Sequence, residues 1–261
     1  MSKLAKALSA ASGNSSASSL YVEDVFSTYL YSGTDATQVI TNGVDMTEGG
    51  LVWCKTRATD SNHVLVDSEY SMNNANKNFV SSNTNTAATT GPAIDSFNST
   101  GFTLSSNWYA NYASYGTYVS WSFRKAENFF DVVTFSGNSV AGRAISHGVD
   151  GAVGMVIIKR TDSAGNWAVW NVGASTSSFF LNSSSGAYSA PQNMFGNGSS
   201  VVAPTSTAFT VGANSTVNAS GGTYVAYVFA SDAGGFGDDG TESIIKCGTY
   251  TEAASSFEVT L

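Results

Sequence analysis

Charge is what this sequence has least of. Asp, Glu, Lys and Arg make up 11% of its 261 residues, under half of the roughly 25% usual in a soluble domain. The little charge present leans acidic, with 19 Asp and Glu against 11 Lys and Arg and a formal net of −8. A nucleic-acid partner needs a basic patch to neutralise phosphate, and an anionic lipid surface needs the same, so the balance argues against both. No apolar run approaches the ~20 residues of a membrane span. Met1 to Asn14 (MSKLAKALSAASGN) lacks the apolar stretch of a secretory signal peptide, so synthesis in a cytoplasm without export is expected.

Histidine and cysteine are equally scarce, at two each. Cys54 and Cys247 make neither a disulfide framework nor a metal pattern. Each sits in an apolar, strand-like run, Leu51-Val52-Trp53-Cys54 and Ile244-Ile245-Lys246-Cys247, and buried free thiols are expected. Leu and Glu, the usual helix formers, are also few. Ser, Thr, Asn and Gly fill the gap, and 42% of residues are hydrophobic, among them 15 Phe, 12 Tyr and 5 Trp. That is material for a strand-rich fold with a real core.

The most informative pattern is self-similarity. Tyr31-Ser32-Gly33 matches Phe135-Ser136-Gly137. Ile40-Thr41-Asn42-Gly43-Val44-Asp45 matches Ile145-Ser146-His147-Gly148-Val149-Asp150. Leu51 to Lys55 matches Met155 to Lys159, Phe102-Thr103-Leu104 matches Phe209-Thr210-Val211, and Gly116-Thr117-Tyr118-Val119 matches Gly222-Thr223-Tyr224-Val225. The five matches are collinear, each displaced by 104–107 positions. Gly248-Thr249-Tyr250-Thr251 resembles Val133 to Ser136, as if a third unit opened near the end.

Within each unit the signals are for strands. Val119, Trp121 and Phe123 alternate with Ser120 and Ser122, which places the large residues on one face. Tyr224 to Phe229 is apolar on both faces and reads as an interior strand. Seven or eight short runs per unit, separated by Gly, Asn and Ser, predict a two-sheet β-sandwich. The one helical candidate is residues 3–11, where Leu4 and Leu8 share a face with Ala5 alongside. It is expected to be an anchor that folds on docking to a partner, or else a frayed terminus.

A search for chemistry returns little. His63 aligns with Trp167 and His147 with Asn42, so neither histidine belongs to the shared scaffold. No nucleophile elbow or metal-ligand spacing appears. Asp232, Asp238 and Asp239 lie on a Gly-rich stretch whose spacing does not match an EF-hand, and a linker is expected there rather than a calcium site. Asp67 and Glu69 lie two apart but align with Asn171 and Gly173, and are expected to be surface charge rather than a glycosidase pair. Trp108, Tyr109, Tyr112 and Tyr115 form an aromatic-rich insert that suits subunit packing or stacking on a glycan. No catalytic residue, cofactor or metal is expected.

The block Gly49 to Arg57, followed by Val64 to Glu69, Phe97 to Leu104 and Gly116 to Ala126, resembles a repeated domain of tailed-phage virion proteins, common in phages of cyanobacteria and other marine bacteria. Ser2 to Leu8 resembles the N-termini of such chains. The resemblance implies concanavalin-like or jelly-roll sandwich modules in tail fibres and other appendages, with no established catalytic residues. Two departures stand out: the Arg-Gly pair usual after the aspartate at Asp67 is missing, and Cys54 replaces an aliphatic residue.

The expectation is therefore an all-β, non-enzymatic structural protein of a virion. It comprises an N-terminal anchor and linker (1–20), tandem β-sandwich repeats (21–127 and 128–240) and the start of a third repeat (241–261). The resemblance implies a homotrimeric tail fibre involved in host adsorption. Leu4, Ala5 and Leu8 would attach it to other virion proteins (tail tube, adaptor or nozzle), and the chain would run on beyond Leu261. The alternatives are a capsid decoration or neck protein, and a carbohydrate-binding module that takes host-surface glycan at Trp108, Tyr109, Tyr112 and Tyr115.

Overall fold

The computed structural model describes residues 19–250, and the candidate anchor at Leu4, Ala5 and Leu8 lies outside them. The described chain is predominantly β, with fourteen strands and only four-residue α-helices. In the first half these are β1 (Phe26–Ser32), β2 (Gln38–Thr41), β3 (Gly50–Thr56), β4 (Val64–Asp67), β5 (Ile94–Asn98), β6 (Gly101–Leu104) and β7 (Thr117–Arg124). The second half carries β8 (Phe130–Ser136), β9 (Arg143–Ser146), β10 (Val153–Arg160), β11 (Ala168–Asn171), β12 (Phe179–Phe180), β13 (Ala208–Val211) and β14 (Thr223–Ala230).

Each half has one larger and one smaller sheet. The first half orders its strands β1-β7-β3-β4 and β2-β6-β5. The second orders them β8-β14-β10-β11-β12 and β9-β13. All ladders are antiparallel. The strand over Tyr224 to Phe229, expected to be interior, is β14, flanked by β10 and β8.

Period-2 alternation sends successive side chains to opposite faces, and both faces of the larger sheets find apolar partners. In the first half Val52, Cys54, Val66 and Tyr118 meet Ile40, Phe102 and Leu104 of the smaller sheet. Val156, Ile158, Trp170 and Ala226 meet Ile145, Phe209 and Val211 in the second half. The remaining faces of the two larger sheets pack on each other, with Leu51, Leu65 and Phe123 against Val132, Ile157, Tyr227 and Phe229. The ring of Phe123 sits 5.6 Å from those of both Phe130 and Phe229. The result is four sheet layers with three apolar seams.

The recurring motifs have local causes. Gly33 and Gly137 each follow the first strand of their half, where an added Cβ would lie 2.2 Å from the Tyr112 carbonyl oxygen and 2.1 Å from that of Ala219. Only glycine permits that backbone approach. The aromatic two residues earlier stacks on a partner: Tyr31 on Tyr118 with centroids 5.1 Å apart, and Phe135 on Tyr224 at the same distance. Buried Asn111 donates to the carbonyls of Ala36 and Ser105, and buried Asn218 to those of Val140 and Gly212. Lys55 donates to the carbonyls of Thr56 and Thr59, and Lys159 to those of Arg160 and Gly165.

The seam between the halves also carries polar struts. Trp167, wholly buried, donates its indole N–H to the carbonyls of Ser81 and Thr84, each at 3.0 Å. Backbone bonds from Ala88 to Thr161 (3.0 Å) and from Gly165 to Asn85 (2.7 Å) tie the same loop down. At the far end, residues 241–250 carry no strand. They lie back on the second half, where the Cys247 N–H donates to Ser231 Oγ and Thr249 Oγ1 to the Gly173 carbonyl. The rest of the segment expected to open a third unit, 251–261, lies outside the described residues.

Candidate functional site

The aromatic insert forms a continuous row. Tyr109 lies 5.9 Å from Phe79 and 5.8 Å from Tyr112, and Tyr112 lies 5.1 Å from Tyr115. Tyr109 is exposed. Trp108 and Tyr115 instead rest against the first half's core, and Gly91 leaves the space the Trp108 ring occupies. Beside Tyr109 opens a cleft of about 190 Å³ lined by Phe79, Val64, Asn62 and Thr89. That is below the roughly 300–1,000 Å³ of a typical small-molecule site. The row is half core, half surface.

Asp67 corrects an expectation. It is not surface charge but wholly buried. Its Oδ1 accepts the backbone N–H groups of Glu69 (3.0 Å), Tyr70 (2.6 Å) and Ser71 (3.4 Å), and Oδ2 accepts the Tyr227 hydroxyl across the seam at 3.0 Å. Burial pushes its carboxyl up, opposed by these bonds. Glu69 does not face a scissile-bond space with it but pairs with Lys125 at 2.9 Å, and Lys125 also reaches Asp131 at 3.2 Å.

Several other titratable groups are likewise engaged in structure. His63 Nδ1 accepts the Trp53 indole N–H at 2.7 Å, and burial lowers its pKa, with Lys55 adding to the effect. His147 stacks on Phe209, and burial lowers its pKa against the opposing pull of Asp131. Cys54 is buried and its thiol is pushed up to about 12; Cys247 is half-buried, at about 11. In the Gly-rich stretch Asp238 accepts the Tyr21 hydroxyl and Asp232 pairs with Lys246 at 3.3 Å. No group of three or more potential metal ligands occurs among the described residues.

A groove of about 640 Å³ with converging polar groups lies where the seam between the halves opens to solvent. One wall is the loop bearing Tyr70, Asn74, Asn78, Ala87 and Ala88, and the other comes from β8, β14 and the turn after β10. Thr161 Oγ1 lies 2.6 Å from Thr223 Oγ1. Asp162 accepts both Arg160 Nε and Nη2 at 2.9 Å and the Thr223 N–H at 3.0 Å. The bonds from Arg160 hold its carboxyl down, to about 2. Nothing in the sequence pointed here, because the lining is drawn from five separate stretches.

No helix of the described residues is long and apolar enough to cross a membrane. A family model described as Domain of unknown function (DUF7483) matches residues 22–243. No curated protein and no solved structure matches the chain.

Proposed function

The chain belongs to the DUF7483 family, and we propose that it is a non-catalytic structural module of a tailed-phage appendage. In this reading the two halves are copies of one jelly-roll or concanavalin-like sandwich. The N-terminal segment with Leu4, Ala5 and Leu8 anchors the chain to other virion proteins, and assembly is trimeric, as in a tail fibre that serves host adsorption.

The observation that carries the proposal is the apolar seam joining the two larger sheets. It makes one stiff four-layer body, and its buried and half-buried ionisable groups act as struts within that body. Asp67 reaches across to Tyr227, Lys125 joins Glu69 to Asp131, and Lys159 sits wholly buried among carbonyls. The matched pairs Tyr31/Phe135, Asn111/Asn218 and Lys55/Lys159 support the duplication. The phage assignment rests on the sequence resemblance alone, since fold does not fix function.

The test is to find the protein on particles. Antibody raised against residues 26–230 should label the fibres of purified phage that encodes the chain, and its peptides should appear in the particle's protein digest. Label on the head or neck would favour the decoration reading instead, and absence from the particle would refute both.

A further inference from the structure

The groove at the open end of the seam is built for hydroxyl groups. On β8 the seam-facing residues run Phe130, Val132, then Thr134 and Ser136; on β14 they run Phe229, Tyr227, Val225, then Thr223. Both strands change from apolar to hydroxyl side chains where the cover of the first half ends, and the buried Thr161 adds a fourth hydroxyl, bonded to that of Thr223. The position matching Thr134 in the first half is Leu30, which is 58% exposed. Exposure to water alone therefore does not require a hydroxyl at that place in the scaffold.

The charges of the groove narrow the ligand class. Its one carboxylate, Asp162, is neutralised by a two-pronged pair with Arg160, and its geometry is fixed further by the Thr223 N–H. It remains ionised down to about pH 2, so it is a permanent, pre-positioned acceptor for donors such as hydroxyls. Arg160 is committed to that pair, and Lys159 to the carbonyls behind it, and the described lining of the groove holds no Lys or Arg to take an anionic ligand. Tyr70 on the opposite wall supplies an aromatic body. A peptide strand added to β8 is disfavoured, because that edge is guarded: Asp131 accepts the Val132 N–H and Arg143 donates to the Ser136 carbonyl.

We propose that this groove binds a neutral oligosaccharide, with Asp162 and the exposed Thr134, Ser136 and Thr223 hydroxyls bonding sugar hydroxyls, Thr161 holding Thr223 from behind, and Tyr70 packing on a ring. The assignment is independent of where the protein sits in a particle. Methyl spectra of the full chain labelled at Ala and Thr would be followed during titration with maltohexaose, cellohexaose, laminarihexaose, mannohexaose and chitohexaose. A sulfated heparin hexasaccharide serves as the anionic comparison. Saturable shifts are expected at Ala87, Ala88, Thr134, Thr161 and Thr223 with at least one neutral sugar. Tyr70→Ala should weaken binding about tenfold or more. Thr134→Lys, an exposed substitution that leaves the core untouched, should abolish it by occupying the groove. Silence of these methyls with every neutral sugar at millimolar concentration would overturn the proposal. So would shifts confined to Ala110 and Ala113 beside the tyrosine row, tighter binding of the sulfated sugar, or unchanged binding by Thr134→Lys.

Discussion

Replacing Asp67 in two ways separates its charge from its hydrogen bonds. Asp67 accepts three backbone N–H groups through one oxygen and the Tyr227 hydroxyl through the other. Asp67→Ala removes all of these acceptors and leaves the donors buried, at a cost of about 3–5 kcal/mol by analogy with other broken buried charge contacts. At roughly 2–4 °C per kcal/mol for a chain of this size class, the midpoint of thermal unfolding should fall by about 10 °C. Asp67→Asn is different. Its Oδ1 can keep the backbone donors, and its amide can donate to Tyr227, whose hydroxyl turns to accept. The Tyr227 O–H proton loses its acceptor, but no charge is buried. The folded-state pKa of Asp67 is raised above its value in the unfolded chain. Its favourable contribution is therefore fully present below the unfolded pKa, near 3.9, and is lost as pH rises through the folded value. Relative to wild type, Asp67→Asn should thus gain stability as pH rises from 4 to 8 and lie within about 1 kcal/mol of it at neutrality. Urea unfolding across that range measures this. If Asn proved as costly as Ala at pH 7, or its relative stability fell with pH, the account of a penalised buried carboxylate would be wrong.

Three further outcomes follow from the packing. Trp167→Ala should cost about 3–5 kcal/mol and speed proteolysis within the loop over Ser81 to Thr84, read by urea unfolding and limited digestion; equal digestion rates would refute the strut. Gly33→Ala and Gly137→Ala should each destabilise, by about 1–3 kcal/mol, because the added Cβ meets backbone. Gly186→Ala, with nothing within 4 Å, should be close to neutral in the same thermal melts. In the native protein Cys54 should resist a thiol reagent at pH 8 until the chain unfolds, since its thiol is buried and its pKa lies near 12; rapid native labelling would contradict that.

Alternation was readable because it is a local pattern. The interior place of β14 follows from apolar residues on both its faces, and Gly33 with Gly137 marks the same close turn twice. Burial was harder to read. On β7 the large face of Val119, Trp121 and Phe123 is only half-buried, whereas Ser120 and Ser122 are wholly buried. Small side chains can face a tightly packed core, and hydropathy does not register that. Asp67 had a signal that went unread. It and Asn171, its match, each accept the N–H two residues on, so an acceptor side chain recurs at that turn. The groove left no linear trace, since Asn78 and Thr223 meet only once the halves have packed.

The connection from Lys125 to Phe129 is short and bent, with Asn128 at a φ of 60° and its N–H bonded to the Val149 carbonyl. It holds the two seam faces at a high effective concentration, so they need not attract each other strongly enough to associate as separate molecules. A longer hinge would lose that advantage, and a first half could then close on the second half of a neighbouring chain as readily as on its own. The turn thus sets who pairs with whom as much as the apolar surfaces do.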